Sequence, residues 1–112
     1  MKPIHDLRLD NDTIKRIHEY FKWTAFSQGE TITHITPSGG VHYTGKPTKT
    51  KCIFFEVKRQ NVYFVISLYE YPKGVIFHSY IDSETSNLLS QIKIQDIETS
   101  IYNELKKALG IK

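Results

Sequence analysis

The sequence predicts an α+β fold: a single antiparallel sheet of four to five strands, flanked by an N-terminal and a C-terminal helix packed on one face. Residues 52–71 contain two runs of strand-forming residues around a short polar break, which is typical of a β-hairpin. Apolar residues near both ends of the chain recur instead at helical spacing. With 112 residues, 39% hydrophobic and 24% charged, we expect residues 1–112 to form one packed domain.

The N-terminal part of the chain predicts a helix behind a short lead-in segment. Residues 1–9 show no clear hydrophobic period, so we expect a lead-in whose apolar side chains pack at the domain edge. Asp10, Asn11 or Asp12 can cap the helix, because a short side-chain acceptor bonds the free amides of a first turn. Apolar side chains follow at helical spacing, and we expect the helix to end near Phe26.

A basic loop is expected between the first helix and the hairpin. Residues 30–36 predict a short strand, closed by a turn rich in Pro, Ser and Gly. Residues 40–51 are poor in apolar side chains and predict an exposed loop. Residues 40–60 hold five basic residues against one acidic residue, which concentrates positive charge there. As a candidate contact surface, the loop contributes His42, Tyr43, Lys46, Lys49 and Lys51 to the predicted binding residues.

The hairpin has two faces of different character. Any turn with an even number of loop residues places seven apolar residues on one face, and a shift by one residue would mix them with charged ones. This predicted core face consists of Ile53, Phe55, Val57, Val62, Phe64, Ile66 and Leu68. The opposite face, called the tyrosine face below, carries Phe54, Tyr63, Tyr69 and Tyr71 beside Lys58.

The register of the next strand, residues 75–82, stays open between two possibilities. If Gly74 forms a bulge after the preceding turn, Phe77 and Ile81 join the tyrosine face. If the loop has two residues, His78 and Tyr80 join it instead.

The C-terminal part predicts one further strand and a helix. Residues 88–94 fit either a strand or the start of a helix, and their alternation favours the strand. Asp96 is then expected to cap a helix that ends just before Gly110.

Two short motifs suggest catalytic chemistry, and each lacks part of its context. Residues 40–47 resemble a phosphate-binding G-x-x-x-x-G-K-[ST] loop, but Pro47 replaces the hydroxyl residue and a strand follows where a helix is needed. Glu56 and Lys58 match the E-x-K pattern of metal-dependent nucleases. A magnesium site needs another carboxylate nearby, which Glu19 or Glu30 would have to supply.

No metal or cofactor site is expected from the histidines or from Cys52. None of the histidines pairs at ligand spacing with another, and the lone cysteine is expected to be a buried, inert thiol. The histidines concerned are His5, His18, His34, His42 and His78.

The predicted function is that of a small non-enzymatic module that binds another protein, of the inhibitor, immunity-factor or adaptor type. Tyrosine-rich surfaces are typical of protein interfaces, and the expected contact residues are the loop residues named above together with Phe54, Lys58, Tyr63, Tyr69 and Tyr71. The same rings and lysines would also suit single-stranded nucleic acid, and a metal-dependent nuclease is a more distant alternative. The rings could instead form a minor core under the N-terminal helix or its lead-in.

Location follows from what the sequence lacks. It has one cysteine, no signal-peptide pattern and no apolar run of the ~20 residues that a membrane span requires. We therefore expect a soluble, cytoplasmic protein that does not associate with membranes.

Overall fold

The structure, a computed structural model, describes residues 2–22, 26–33 and 48–111. These residues form one five-stranded antiparallel sheet with the strand order β1-β5-β4-β3-β2, together with three helices. The predicted α+β fold is therefore confirmed. In chain order the elements are β1 (Lys2–His5), α1 (Asn11–Phe21), β2 (Phe26–Thr33), β3 (Thr48–Arg59), β4 (Val62–Tyr71), β5 (Gly74–Tyr80), α2 (Ser83–Leu88) and α3 (Gln91–Ala108).

The central hairpin, β3 and β4, has the predicted even loop. Arg59 pairs with Val62, so the loop contains only Gln60 and Asn61. Both residues have positive φ angles, 52° and 64°, as a type I′ turn requires. All seven residues of the predicted core face are at most 7% exposed.

The turn between β4 and β5 decides the register that the sequence leaves open. Tyr71 pairs with Gly74, which makes a two-residue loop, and Leu68 pairs with Phe77 on the core side. His78 and Tyr80 therefore lie on the tyrosine face.

Helices α1 and α3 pack on the core face of the sheet, as predicted. Ile17 of α1 and four residues of α3 belong to the same buried cluster as the hairpin residues. The rings of Phe21 and Phe55 lie 5.4 Å apart between α1 and β3. The α3 residues are Ile94, Ile97, Ile101 and Leu105, spaced three or four apart.

The predicted lead-in segment contains a strand, which the sequence pattern did not indicate. β1 pairs antiparallel with β5 at one edge of the sheet and buries Ile4. The guanidinium of Arg8 donates to the carbonyl oxygens of Tyr71 at 2.7 Å and Pro72 at 2.5 Å. A four-residue strand is too short to show a period, and it is ordered here by its tertiary hydrogen bonds.

Helix α1 begins where predicted and ends earlier. Asp10 is the N-cap, and its carboxylate accepts the Thr13 N–H at 2.8 Å, which lowers the pKa of Asp10. The predicted end near Phe26 is wrong, because Lys22 adopts a left-handed conformation that terminates the helix. Phe26 is instead the first residue of β2 and pairs with Phe55. An apolar residue at position 26 fits the hydrophobic period of a helix and also that of a strand, so the sequence pattern alone did not distinguish the two.

The strands around the predicted basic loop also differ from expectation. β2 spans Phe26–Thr33, whereas the strand was predicted at residues 30–36. β3 begins at Thr48, so Lys49 and Lys51 lie in a strand instead of a loop. The rest of the predicted loop, including His42, Tyr43 and Lys46, lies outside the described residues.

The strand favoured at residues 88–94 is wrong. Residues 83–88 form α2, and α3 begins at Gln91. Its N-cap is Ser90, six residues before Asp96, which was expected to be the cap. Leu88 and Ile92, whose spacing suggested the buried side of a strand, are 80% and 74% exposed.

In the described part of the chain, no helix combines the length and the apolar character needed to cross a membrane.

Candidate functional site

The tyrosine face lies on the side of the sheet opposite the core helices. Phe54, Tyr63 and Tyr69 alternate with the core residues of β3 and β4, whereas α1 and α3 pack on those core residues. The possibility that the rings lie under the N-terminal helix is therefore wrong. The lead-in only borders this face, where Pro3 and His5 of β1 pair with β5.

One half of the tyrosine face is buried. Tyr71 is only 5% exposed, Ile76 of β5 is similarly buried, and Cys52 is 3% exposed. Burial raises the pKa of the Cys52 thiol, which keeps it protonated and unreactive at neutral pH. Phe54 and Tyr69 are half-buried, with their rings edge to face at a centroid distance of 5.9 Å. This half forms a minor apolar layer on the second side of the sheet.

The hydroxyl of Tyr71 is buried and has no hydrogen-bond partner. Of the predicted binding residues, Tyr71 is therefore placed beneath the surface, with its polar atom unsatisfied. Its ring contributes apolar burial, while its hydroxyl lowers stability.

The other half of the tyrosine face is exposed to solvent. Tyr63 and Tyr80 are 58% and 56% exposed, and Val65, two residues after Tyr63 on β4, is half-buried. Val65 pairs with Tyr80 on one side and with Glu56 on the other, while Tyr63 pairs with Lys58. We call these five residues, Glu56, Lys58, Tyr63, Val65 and Tyr80, the outer patch.

Lys58 and Tyr63 form a cation–π pair within the outer patch. The Lys58 ammonium lies 5.2 Å from the centroid of the Tyr63 ring. Glu56 projects from the same strand face two residues before Lys58, so the charges of the patch are balanced.

The lysines at the start of β3 do not reach the tyrosine face. Lys49 and Lys51 alternate with it and share the parity of Ile53, so they project toward the helix side. Lys51 donates to the Leu9 carbonyl oxygen at 3.2 Å, and Lys49 pairs with Glu30 at 3.2 Å. The predicted grouping of loop lysines with the tyrosine rings is thus not formed by these two residues.

An open cleft of about 300 Å³ adjoins the outer patch at the end of the hairpin. It shares Glu56, Lys58 and Tyr63 with the patch and adds Phe21 and Lys22 from the end of α1, and Arg59 from β3. The sequence did not indicate Phe21 and Lys22 as site residues, because both were placed inside a longer helix. The left-handed end of α1 at Lys22 places both residues beside the hairpin.

The described lining of the cleft is predominantly basic. It contains one carboxylate, Glu56, and the basic side chains of Lys22, Lys58 and Arg59. Arg59 donates from Nε and Nη2 to the two carboxylate oxygens of Glu104 at 3.1 and 3.0 Å, which fixes its guanidinium. The ammonium groups of Lys22 and Lys58 are both on exposed side chains.

The E-x-K motif lies at this site without the further ligand that a magnesium centre needs. Glu56 is the only carboxylate among the described residues that line the cleft. Within the described residues, no group of three or more His, Cys, Asp or Glu side chains is placed to hold a metal ion. The near match to a phosphate-binding loop, residues 40–47, lies outside the described part of the chain.

Comparison with models of known protein families, with curated protein sequences and with solved structures finds no match to this chain.

Proposed function

We propose that this protein is a small non-enzymatic protein-binding module, of the inhibitor, immunity-factor or adaptor type, and that the outer patch is its contact surface. The observation that carries the proposal is the exposure of Tyr63 and Tyr80, both neighbours of Val65, on a sheet face opposite the core helices. Tyrosine buries a large area for a small loss of side-chain freedom, which makes it frequent at the centres of protein interfaces.

The charge distribution of the outer patch itself favours a protein over single-stranded nucleic acid. Strand binding needs a positively charged groove along the stacking rings. On the described part of the tyrosine face the lysine is Lys58, and Glu56 lies beside it. Lys49 and Lys51 project to the other side of the sheet.

Site-specific photocrosslinking tests the proposal. A photoreactive phenylalanine derivative at position 80 is expected to crosslink a discrete protein in cells that contain the natural partner. The same group at position 92 is the matched control, since Ile92 is also exposed, at 74%, but lies on α3. Equal crosslinking from both positions would contradict the proposal.

A second measurement uses substitutions. Tyr63→Ser together with Tyr80→Ser should weaken partner capture by at least about tenfold, the loss expected when interface tyrosines are removed. Ile92→Ser should leave capture unchanged, and thermal unfolding should confirm that all variants are folded.

Oligonucleotide titration at two salt concentrations distinguishes the alternative function. Binding to single strands would weaken with salt by a slope of about −0.7 per phosphate contact. Such binding, lost in the double tyrosine variant, would replace the proposed function by nucleic-acid binding.

A further inference from the structure

We propose that the basic cleft beside the outer patch receives an acidic segment of the partner protein, a segment rich in Asp and Glu. This inference rests on the proposed function, because it specifies the chemistry of the partner that the patch would contact. It concerns Lys22, Phe21 and Arg59 in addition to the residues of the patch.

The first argument is charge complementarity. Among the described residues that line the cleft, three side chains are basic and one is acidic. Arg59 is already paired with Glu104, whereas Lys22 and Lys58 form no ion pair with another described residue. Two ammonium groups at an open site attract carboxylates and accelerate the encounter with an acidic partner.

The second argument comes from the carboxylate that this end of the hairpin already binds. Glu104 of α3 approaches Arg59 through two hydrogen bonds, and both side chains are about one-third exposed. The two N–H groups through which Arg59 could bind a phosphate group at two points are therefore already bonded to Glu104. Lysine ammonium groups, which act as point charges, suit single carboxylates distributed along a peptide.

The third argument is the shape and composition of the walls. Phe21 and Tyr63 contribute rings, and the Tyr63 ring also holds the Lys58 ammonium at 5.2 Å. A volume of about 300 Å³ is at the lower end of ligand sites and suits one or two side chains of a peptide. Because the cleft shares three residues with the outer patch, one partner can contact both.

The test begins with a defined probe and the intact protein. In ¹H–¹⁵N NMR titrations, a peptide of five Glu-Gly repeats should shift the amide signals of Lys22, Lys58 and Tyr63, whereas five Gln-Gly repeats should not. Shifts of equal size at the exposed lysines Lys15 and Lys93 would overturn the inference, since they would indicate unspecific attraction.

Charge reversal supplies the matched comparison. Lys22→Glu with Lys58→Glu should weaken binding of the Glu-Gly peptide by at least about tenfold. Lys15→Glu with Lys93→Glu changes the net charge equally at lysines away from the cleft and should retain most of the binding. Equal losses in the two double variants would refute a role for the cleft.

Further measurements distinguish an acidic peptide from a phosphate-bearing ligand, and the inference about the cleft from the proposed function. Inorganic phosphate or oligothymidylate that shifts the cleft signals at lower concentration than the Glu-Gly peptide would overturn the inference in favour of a phosphate-bearing ligand. Partner capture that depends on Tyr80 and survives Lys22→Glu with Lys58→Glu would refute the inference alone. Peptide binding in the cleft, with partner capture indifferent to Tyr80, would instead contradict the proposed function.

Discussion

Replacing Gly74 by alanine should detach the N-terminal strand from the sheet. Gly74 has a φ angle of 153°, which L residues rarely adopt, at the point where β5 leaves the turn beside β1. An added Cβ would run into the carbonyl oxygen of Ile4 and would lie 3.0 Å from both the Asp6 nitrogen and the His5 Cα. These contacts are backbone atoms, so the strand itself has to move.

The magnitude follows from the conformation and from what β1 contributes. The unfavourable φ angle costs about 1–3 kcal/mol. Displacing β1 exposes part of the Ile4 side chain, which is only 3% exposed in the folded protein. Full burial of such a side chain contributes about 1.5–3 kcal/mol to the free energy of unfolding. Gly74→Ala should therefore lower the free energy of unfolding by about 3–5 kcal/mol, a large part of the roughly 5–15 kcal/mol typical of a domain.

Urea unfolding followed by circular dichroism measures this loss, and Gly29→Ala is the matched control. Gly29 also lies in a strand, but an added Cβ would meet nothing within 4 Å. That substitution should change the free energy of unfolding by no more than about 0.5–1 kcal/mol. Limited trypsin digestion should cleave Gly74→Ala faster after Arg8, whose guanidinium is bonded to the β4–β5 turn. If the two glycine variants were equally stable, the close packing of β1 on Gly74 would be refuted.

Three further predictions concern the site and its surroundings. Tyr71→Phe should raise the free energy of unfolding by about 1 kcal/mol and leave partner capture unchanged, because it removes a buried hydroxyl that has no partner; a loss of stability in urea unfolding would contradict this. A double-mutant cycle with Arg59→Gln and Glu104→Gln should give a coupling energy of about 0.5–1.5 kcal/mol, because the two side chains are only about one-third exposed and are joined by two hydrogen bonds. A value near zero would show that this ion pair does not hold the hairpin to α3. Burial lowers the pKa of His78, and the nearby charge of Glu98 opposes this shift, so the unfolded chain binds more protons than the folded one and the free energy of unfolding should fall as the pH drops through and below about 6.5. His78→Gln should make the free energy of unfolding less dependent on pH in this range. Parallel pH profiles for the two proteins would contradict the prediction.

Local patterns were sufficient for the centre of the fold. The alternation of apolar residues along residues 52–71, together with an even number of loop residues, predicted the core face of β3 and β4 correctly. The sequence also limited the cap of α1 to Asp10, Asn11 or Asp12, because a cap depends on a side chain close in sequence to the amide it bonds, and the structure shows that Asp10 is the cap. These features are set by neighbours in sequence, and so they can be inferred from the chain alone.

The ends of helices and the pairing of strands were harder to predict from the sequence. The end of α1 depends on the left-handed turn at Lys22, and β1 depends on hydrogen bonds with β5, more than sixty positions away. Leu88 and Ile92 led to the wrong prediction of a strand, because the sequence does not distinguish apolar residues on the surface from apolar residues in the core.

The candidate site shows the same division. Sequence alone determined that Phe54, Tyr63, Tyr69 and Tyr71 share one face of a hairpin, because side chains of a strand alternate. Only the tertiary structure decided that Tyr63 is exposed while Tyr71 is buried, and that the end of α1 completes a basic cleft beside Lys58. The physical reason is that alternation is a property of one strand, whereas exposure and charge grouping depend on which other elements pack beside it.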